Sequence, residues 1–290
     1  MSRNLKIWIA GASGRLGSAL YRRFDRTEYD ILTSDHDVPV GETNEVNRYA
    51  DMNYPNVIIN CSGLTDVREC ERDPEHAYKV NALGARNLAI AARRIDAKLI
   101  QISTDDVFDG SASAPLNEFD APHPITVYGK SKYAGEAFVR ELTDKHVIVR
   151  SSWIYGSGTY DFVDDVLDRA ARGETVSVPG DEISSPTSSD ALAGFIHYLI
   201  QSKEFGLYHA SCEGACSRSE FAREILRLGG YPDVPVESTV ASAGDTPLRP
   251  KFTLLDNMMM RMTGIYKMPD WRDALARYLS ARPSRNGGAK

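Results

Sequence analysis

Gly11, Gly14 and Gly17 stand in the stretch GASGRLG, between an apolar β-branched run and a helical pattern. In such a turn the first glycine allows the tight bend, the second lets backbone approach a pyrophosphate, and the third lets helix and strand pack closely. The helix start then presents unpaired N–H groups and the positive end of its dipole to an anion. Gly11, Ser13, Gly14, Arg15, Leu16 and Gly17 are therefore expected to cradle a dinucleotide. Asp35 follows the next strand-like run, where a carboxylate would hold an adenine ribose diol and repel a 2′-phosphate. That favours NADH. Arg15 offers the opposite choice, a cation for the extra phosphate of NADPH, so the cofactor stays open between the two with a lean to NADH.

Tyr128 and Lys132 in VYGKSKYAGE share one face if the segment is helical. A phenol is a sluggish acid at neutral pH, and a neighbouring ammonium should lower its pKa to a useful value. Ser103 and Thr104 end the run KLIQIST, at the sheet edge where an open α/β sheet binds ligands. A hydroxyl there can polarise a carbonyl while Tyr128 protonates the developing alkoxide. Together with the glycine turn, these residues describe reduction of a ketone by a nicotinamide cofactor.

The elements that must position them alternate. Leu5 to Ala10 reads as a strand, Arg15 to Phe24 as a helix, Tyr29 to Thr33 and Asn56 to Cys61 as strands, and 74–95 as one long helix started by Pro74. Lys98 to Thr104 is a strand, Gly129 to Thr143 a helix, and His146 to Arg150 a strand. This βα alternation predicts a doubly wound α/β fold, a parallel sheet covered on both faces. Beyond Ser151 the pattern loosens into helices near 161–172, 188–201 and 218–228, with Tyr231 to Pro250 read as an extended loop. We expect a dinucleotide-binding domain over 1–155, with the chain returning to it near 181–210. A smaller mixed substrate lobe would take 156–180 and 211–284, leaving a frayed tail over 285–290.

Composition narrows the function classes. The 290 residues carry 34 basic and 40 acidic side chains, a net charge of −6, which argues against nucleic-acid or membrane-surface binding. No apolar run reaches the roughly 18 residues of a membrane span. The start MSRNLKIWIAGASG reaches a strand too soon to hold a signal peptide, so a cytoplasmic location is expected. Cys61, Cys70, Cys212 and Cys216 are too few and scattered for a disulfide scaffold. Cys212 and Cys216 lack a second ligand pair for zinc, and no metal is expected.

Much of the chain resembles the dTDP-4-dehydrorhamnose reductase family of extended short-chain dehydrogenase/reductases. The motifs are GASGRLG, VIINCSGLTDV, AYKVNALGARNLA, ISTDDVFDG, PITVYGKSKYAGE, VRSSWIYGSG, SSPTSSDALA, GLYHASCEG, EFAREIL and PLRPKFTLLDN. The resemblance implies Thr104, Tyr128 and Lys132 as catalytic hydroxyl, general acid and ribose-binding lysine. It implies Asn60, Cys61, Ser62 and Gly63 along the cofactor, Trp153 near the sugar, and Arg249 at the nucleotide pyrophosphate. A nucleotide-linked keto-sugar is the implied substrate, and a homodimer is common in the superfamily. Some relatives use magnesium through an acid on the first helix. Ala19 stands there in this chain, so magnesium is not carried over.

The departures fall on the substrate side. Asp106 replaces the Tyr of STDYVFDG, Asp161 and Asp164 turn NFVK into DFVD, Asp181–Glu182 replaces DQ, and Leu64 replaces the Tyr of NCAAYT. A carboxylate about 7 Å from one charge of a pyrophosphate costs about 2 kcal/mol at an effective dielectric near 20. Asp106 and Asp161 are therefore expected to contact substrate and to shift preference toward another nucleotide sugar or a less anionic ketone, unless Arg249, Lys251 or Arg261 compensate. A second function class stays open: a non-catalytic relative that binds cofactor to regulate a partner enzyme.

Overall fold

The computed structural model describes residues 4–240 and 249–282. The expected frayed tail and part of the expected 231–250 loop lie outside them. Strands β1 (Leu5–Ala10), β2 (Tyr29–Ser34), β3 (Val57–Asn60), β4 (Lys98–Thr104) and β5 (His146–Ser151) form one sheet with the strand Gly206–His209. Its order is Gly206–His209, β5, β4, β3, β1, β2, and every neighbouring pair is parallel. The strand sequence reverses between β1 and β3, so the crevice beyond their carboxyl ends is where such a sheet takes a ligand.

Alternation within the strands explains why both faces must be covered. Ile7, Ile9, Ile100, Ile102, Val147 and Val149 point into one buried cluster. Trp8, Ala10, Ile58, Leu99 and Ile148 point into the other. A strand apolar on both faces reads as the unbroken run that marks a parallel sheet. The first cluster continues into the C-terminal lobe through Val163, Phe221 and Trp271, so lobe and sheet share one core.

Helix α1 spans Arg15–Arg23. The expected 74–95 helix starts at Pro74 behind Asp73, whose carboxylate accepts from His76 N at 3.0 Å. It runs to Arg94 but opens into a π turn over Lys79–Leu83. The helix Val127–Leu142 is capped by Thr126, which accepts from Gly129 N at 3.0 Å. Further along, Ser189–Gln201 is helical and Gly206–His209 joins the sheet beside β5.

Within the expected 231–250 loop, Val236–Thr239 is a strand pairing in parallel with Val176–Pro179. Its residues are mostly exposed, and the partner strand rather than an apolar pattern decides its conformation. Helix Thr43–Asn53 was also missed, because only Val46 and Ala50 are buried in an otherwise polar segment. Among the described residues no helix is long and apolar enough to cross a membrane.

Candidate active site

The glycine turn leaves β1 and enters α1 with almost no room for side chains. Gly11 has φ +83°, and a Cβ on it would lie 2.6 Å from Ser62 N. A Cβ on Gly17 would lie 2.2 Å from Gly11 O. At the start of α1, Gly14 supplies no side-chain cap, and no acidic residue occupies the first turn. The turn therefore presents bare N–H groups and dipole to a ligand, which fits the pyrophosphate of a dinucleotide.

Two cavities meet at this turn. One, of about 400 Å³, is lined by Gly11, Ser13 and Asp35 together with His36, His76 and Lys79. The other, of about 480 Å³, is lined by Arg15, Leu16, Thr104, Tyr128, Lys132 and Trp153, among others. Gly14, Cys61, Ser62 and Gly63 line both. Burial pushes the Cys61 thiol up to about 12, so it stays uncharged between them.

Asp35 Oδ1 accepts from Ser13 N at 3.0 Å and Ser13 Oγ at 2.8 Å, which ties the end of β2 to the glycine turn. Arg15 does not share that end. Its Nη2 donates to Tyr160 O at 3.2 Å and its Nε lies 3.9 Å from Asp161, so it reaches toward the lobe. Arg15 lines the second cavity and not the one that holds Asp35. Asn60 lines neither cavity; it donates to Gln101 Oε1 at 2.8 Å and accepts from Ser62 N at 3.1 Å. It shapes the loop that does line them.

Thr104, Tyr128 and Lys132 converge on the second cavity from β4 and from one face of the Val127–Leu142 helix. Lys132 Nζ donates to Ile102 O at 2.7 Å, and burial pulls its pKa down to about 8 against the opposing charge of Glu136. Tyr128 behaves contrary to expectation. Burial first and the charge of Asp106 second push its phenol up, and the Thr104 hydroxyl pulls it only partly back. Without ligand, Tyr128 is thus a firmly protonated phenol.

Sequence reasoning passed over what holds these groups. Asn81, in the π turn, accepts from Leu64 N at 2.9 Å and donates to Ser131 Oγ at 2.9 Å, joining the cavity loop to the Tyr128 helix. The π turn is the signal, since such bulges concentrate at functional sites. One turn beyond Lys132, Glu136 accepts from Ser103 Oγ at 2.6 Å and from Arg150 Nε at 2.9 Å. Ser103 and Thr104 both line the cavity, and the Ser103 hydroxyl is committed to Glu136.

The substrate-side carboxylates are paired within the fold. Asp106 is 2% exposed and its Oδ1 lies 3.1 Å from Arg249 Nη2. Asp105 lines the cavity, whereas Asp106 does not and instead holds Arg249. Asp161 caps the Phe162–Ala171 helix, accepting from Gly156 N at 2.8 Å and Val163 N at 2.8 Å, in a reciprocal capping box with Asp164. Asp164 pairs with Arg282, Asp181 with Lys251 at 2.7 Å, and Glu182 with Arg218 at 3.3 Å. Of the compensating cations expected, Arg249 and Lys251 serve, whereas Arg261 pairs with Asp256.

Trp153 lines the cavity at φ +42°, a left-handed conformation that costs a bulky residue about 1–3 kcal/mol and persists where surrounding structure demands it. Arg218, another residue sequence reasoning missed, lies with its guanidinium carbon 3.6 Å from the Trp153 ring centroid.

The model of the RmlD substrate binding domain family matches residues 5–283. The chain belongs to this family. It is 34% identical over 280 residues to the spore coat polysaccharide biosynthesis protein SpsK of Bacillus subtilis, covering 96% of this chain and 98% of that protein. It is 35% identical over 288 residues to a dTDP-4-dehydrorhamnose reductase of Streptomyces griseus, covering 96% and 94%. The structure of a dTDP-4-dehydrorhamnose reductase from Clostridium acetobutylicum superposes with a TM-score of 0.92 at 37% identity, covering 95% of this chain and 98% of that one. The Bacillus anthracis enzyme, solved in complex with NADP, gives 0.91 at 37%, covering 97% and 100%.

Proposed function

We propose that this chain reduces the keto group of a dTDP-linked 4-keto-6-deoxy sugar, using NADH or NADPH. The observation that carries the reading is the convergence of Thr104, Tyr128 and Lys132 on one cavity that opens onto an uncapped glycine turn. Membership of a family whose relatives include dTDP-4-dehydrorhamnose reductases supports it.

A bound reduced nicotinamide supplies the hydride. The chain supplies the remainder. The Thr104 hydroxyl, which contacts Asp105 Oδ1 at 3.2 Å in the free protein, turns to donate to the substrate carbonyl oxygen and polarises it. As the carbonyl carbon takes the hydride, Tyr128 gives its phenolic proton to that oxygen, and the ketone becomes an alcohol. The raised Tyr128 pKa keeps the proton in place until negative charge develops. Lys132, fixed through Ile102 O, holds the nicotinamide ribose and offsets the charge left on the tyrosinate. The uncapped N–H groups of α1 bind the dinucleotide pyrophosphate, and Arg249 binds the substrate's.

Asp35 supports NADH, since its carboxylate lines the adenosine end where a 2′-phosphate would sit. A second reading, NADPH, is favoured by Lys79 and His76 lining the same end. The ratio of kcat/KM for the two cofactors decides between them.

The test follows NADH and NADPH absorbance with enzymatically generated dTDP-4-keto-6-deoxy-L-hexose, with Tyr128→Phe as control. Turnover that the control loses by about 10²- to 10⁴-fold, with cofactor affinity unchanged, supports the reading. Cofactor binding without turnover in the wild type overturns it in favour of a regulatory role.

A further inference from the structure

Arg218 and Arg249 line the same cavity as Thr104 and Tyr128. They are close enough that the charge of Arg249 makes the Arg218 guanidinium harder to protonate, on top of the larger effect of its burial. Each guanidinium is also braced. Arg218 Nε donates to Glu182 Oε2 at 3.3 Å, and Arg249 Nη2 donates to Asp106 Oδ1 at 3.1 Å.

The bracing of Arg218 leaves its outer edge open. Its flat face covers Trp153 at 3.6 Å and lies 5.2 Å from the centre of the Phe162 ring. Among the described residues its two Nη groups donate to nothing, although the side chain is only 15% exposed. A guanidinium stacked on an indole and held by one nitrogen is preorganised to offer its remaining N–H groups to an oxyanion in fork geometry. A carboxylate or monophosphate would satisfy one arginine. Two braced arginines facing one space suit a ligand with two linked phosphates.

We propose that Arg218 is a specificity-determining residue which, with Arg249, forms a two-arginine seat for the diphosphate of the substrate. This rests on the cavity assignment made above and deepens it by naming the group recognised. Glu182 and Asp106 aim the two cations and balance them while the seat is empty, so acidic residues near the substrate become part of anion recognition. Selectivity then runs diphosphate over monophosphate over uncharged sugar.

The experiment titrates the cofactor-saturated protein calorimetrically with dTDP, dTMP, thymidine and inorganic pyrophosphate, comparing wild type with Arg218→Gln and Arg218→Lys. The expected result is at least a tenfold loss of dTDP and pyrophosphate affinity in Arg218→Gln. The dTMP loss should stay within threefold, with thymidine and cofactor affinity within twofold. Arg218→Lys, which keeps the charge but not the planar fork, should fall between, and it carries the test if Arg218→Gln does not fold. Equal losses for dTDP, dTMP and thymidine would assign Arg218 to packing on Trp153 and overturn the proposal, as would unchanged dTDP affinity. If the wild type binds pyrophosphate through Arg218 but shows no preference for dTDP, the seat stands and the nucleotide-sugar reading falls. If neither diphosphate binds the wild type, the seat itself is refuted.

Discussion

Replacing Asp105 by Asn should stabilise this protein, and the gain should grow with pH. Asp105 is 2% exposed, sits beside Asp106, and lines the cavity next to Thr104. Burial first, and the Asp106 charge second, raise its pKa from an ordinary 3.8 to about 7. In the unfolded chain the same carboxyl ionises near its ordinary value. Between those two pH values the unfolded state gives up a proton that the folded state retains, so the wild type loses stability relative to a neutral residue as pH rises. A gap of about three pH units corresponds to about 4 kcal/mol. Asparagine forfeits part of this. The amide oxygen can still accept from the Ser184 and Thr253 hydroxyls that donate to Oδ2, but the Thr104 hydroxyl that donates to Oδ1 would meet an NH₂ group instead, a loss of about 1 kcal/mol. Denaturant unfolding should therefore find Asp105→Asn about 1 kcal/mol less stable than wild type near pH 4. Near pH 7 it should be about 2–3 kcal/mol more stable, with no further gain above. In an Asp106→Asn background the rise should move to lower pH, because the neighbouring charge is gone. A stability difference that is flat from pH 4 to 8, or that shrinks as pH rises, would refute the reasoning.

Gly17→Ala should lose at least about 2 kcal/mol of stability and most cofactor affinity, since its Cβ would sit 2.2 Å from Gly11 O; thermal unfolding and cofactor fluorescence titration check this. The pH profile of turnover should have an alkaline limb near 8, where Lys132 loses its proton, and no limb from Tyr128, whose pKa is displaced upward. The charged form of Lys132 predominates below that value, so activity falls as pH rises through it, and a profile flat to pH 9.5 would contradict the assignment. Asp35→Asn should raise kcat/KM for NADPH relative to NADH by about tenfold, the order expected when one carboxylate at the adenosine end is neutralised, as steady-state kinetics with both cofactors would measure.

The parts of the fold legible in the sequence are those whose cause is local. The β1 run, the glycine turn and α1 are adjacent in the chain, and each is set by its own pattern: apolar alternation, missing Cβ atoms, a helix start. The Tyr128–Lys132 pair was legible because helical spacing alone puts the two on one face. The π turn at Lys79–Leu83 was not, because Ala, Leu and Val recur there as in any helix. The extra residue is revealed only where Asn81 reaches Leu64 and Ser131, partners that lie 17 and 50 positions away. The strand Val236–Thr239 was hidden for the same reason, its partner being Val176–Pro179.

The acidic substitutions show the same limit at the level of charge. Read along the chain, Asp106, Asp161, Asp164, Asp181 and Glu182 are negative groups placed where a pyrophosphate must come, and unpaired carboxylates would indeed disfavour it. Their partners are not neighbours in sequence: Asp106 and Arg249 are 143 residues apart, Asp164 and Arg282 are 118 apart, and Glu182 and Arg218 are 36 apart. Pairing removes the net charge of each acid and does something further at the cavity. A guanidinium loses less orientational freedom on binding an anion when a buried carboxylate already fixes its plane. On the proposed seat, the carboxylates that argued against an anionic substrate are what holds Arg218 and Arg249 ready for one. The sign of a residue's effect on binding is set by what lies behind it in the fold as much as by its own charge.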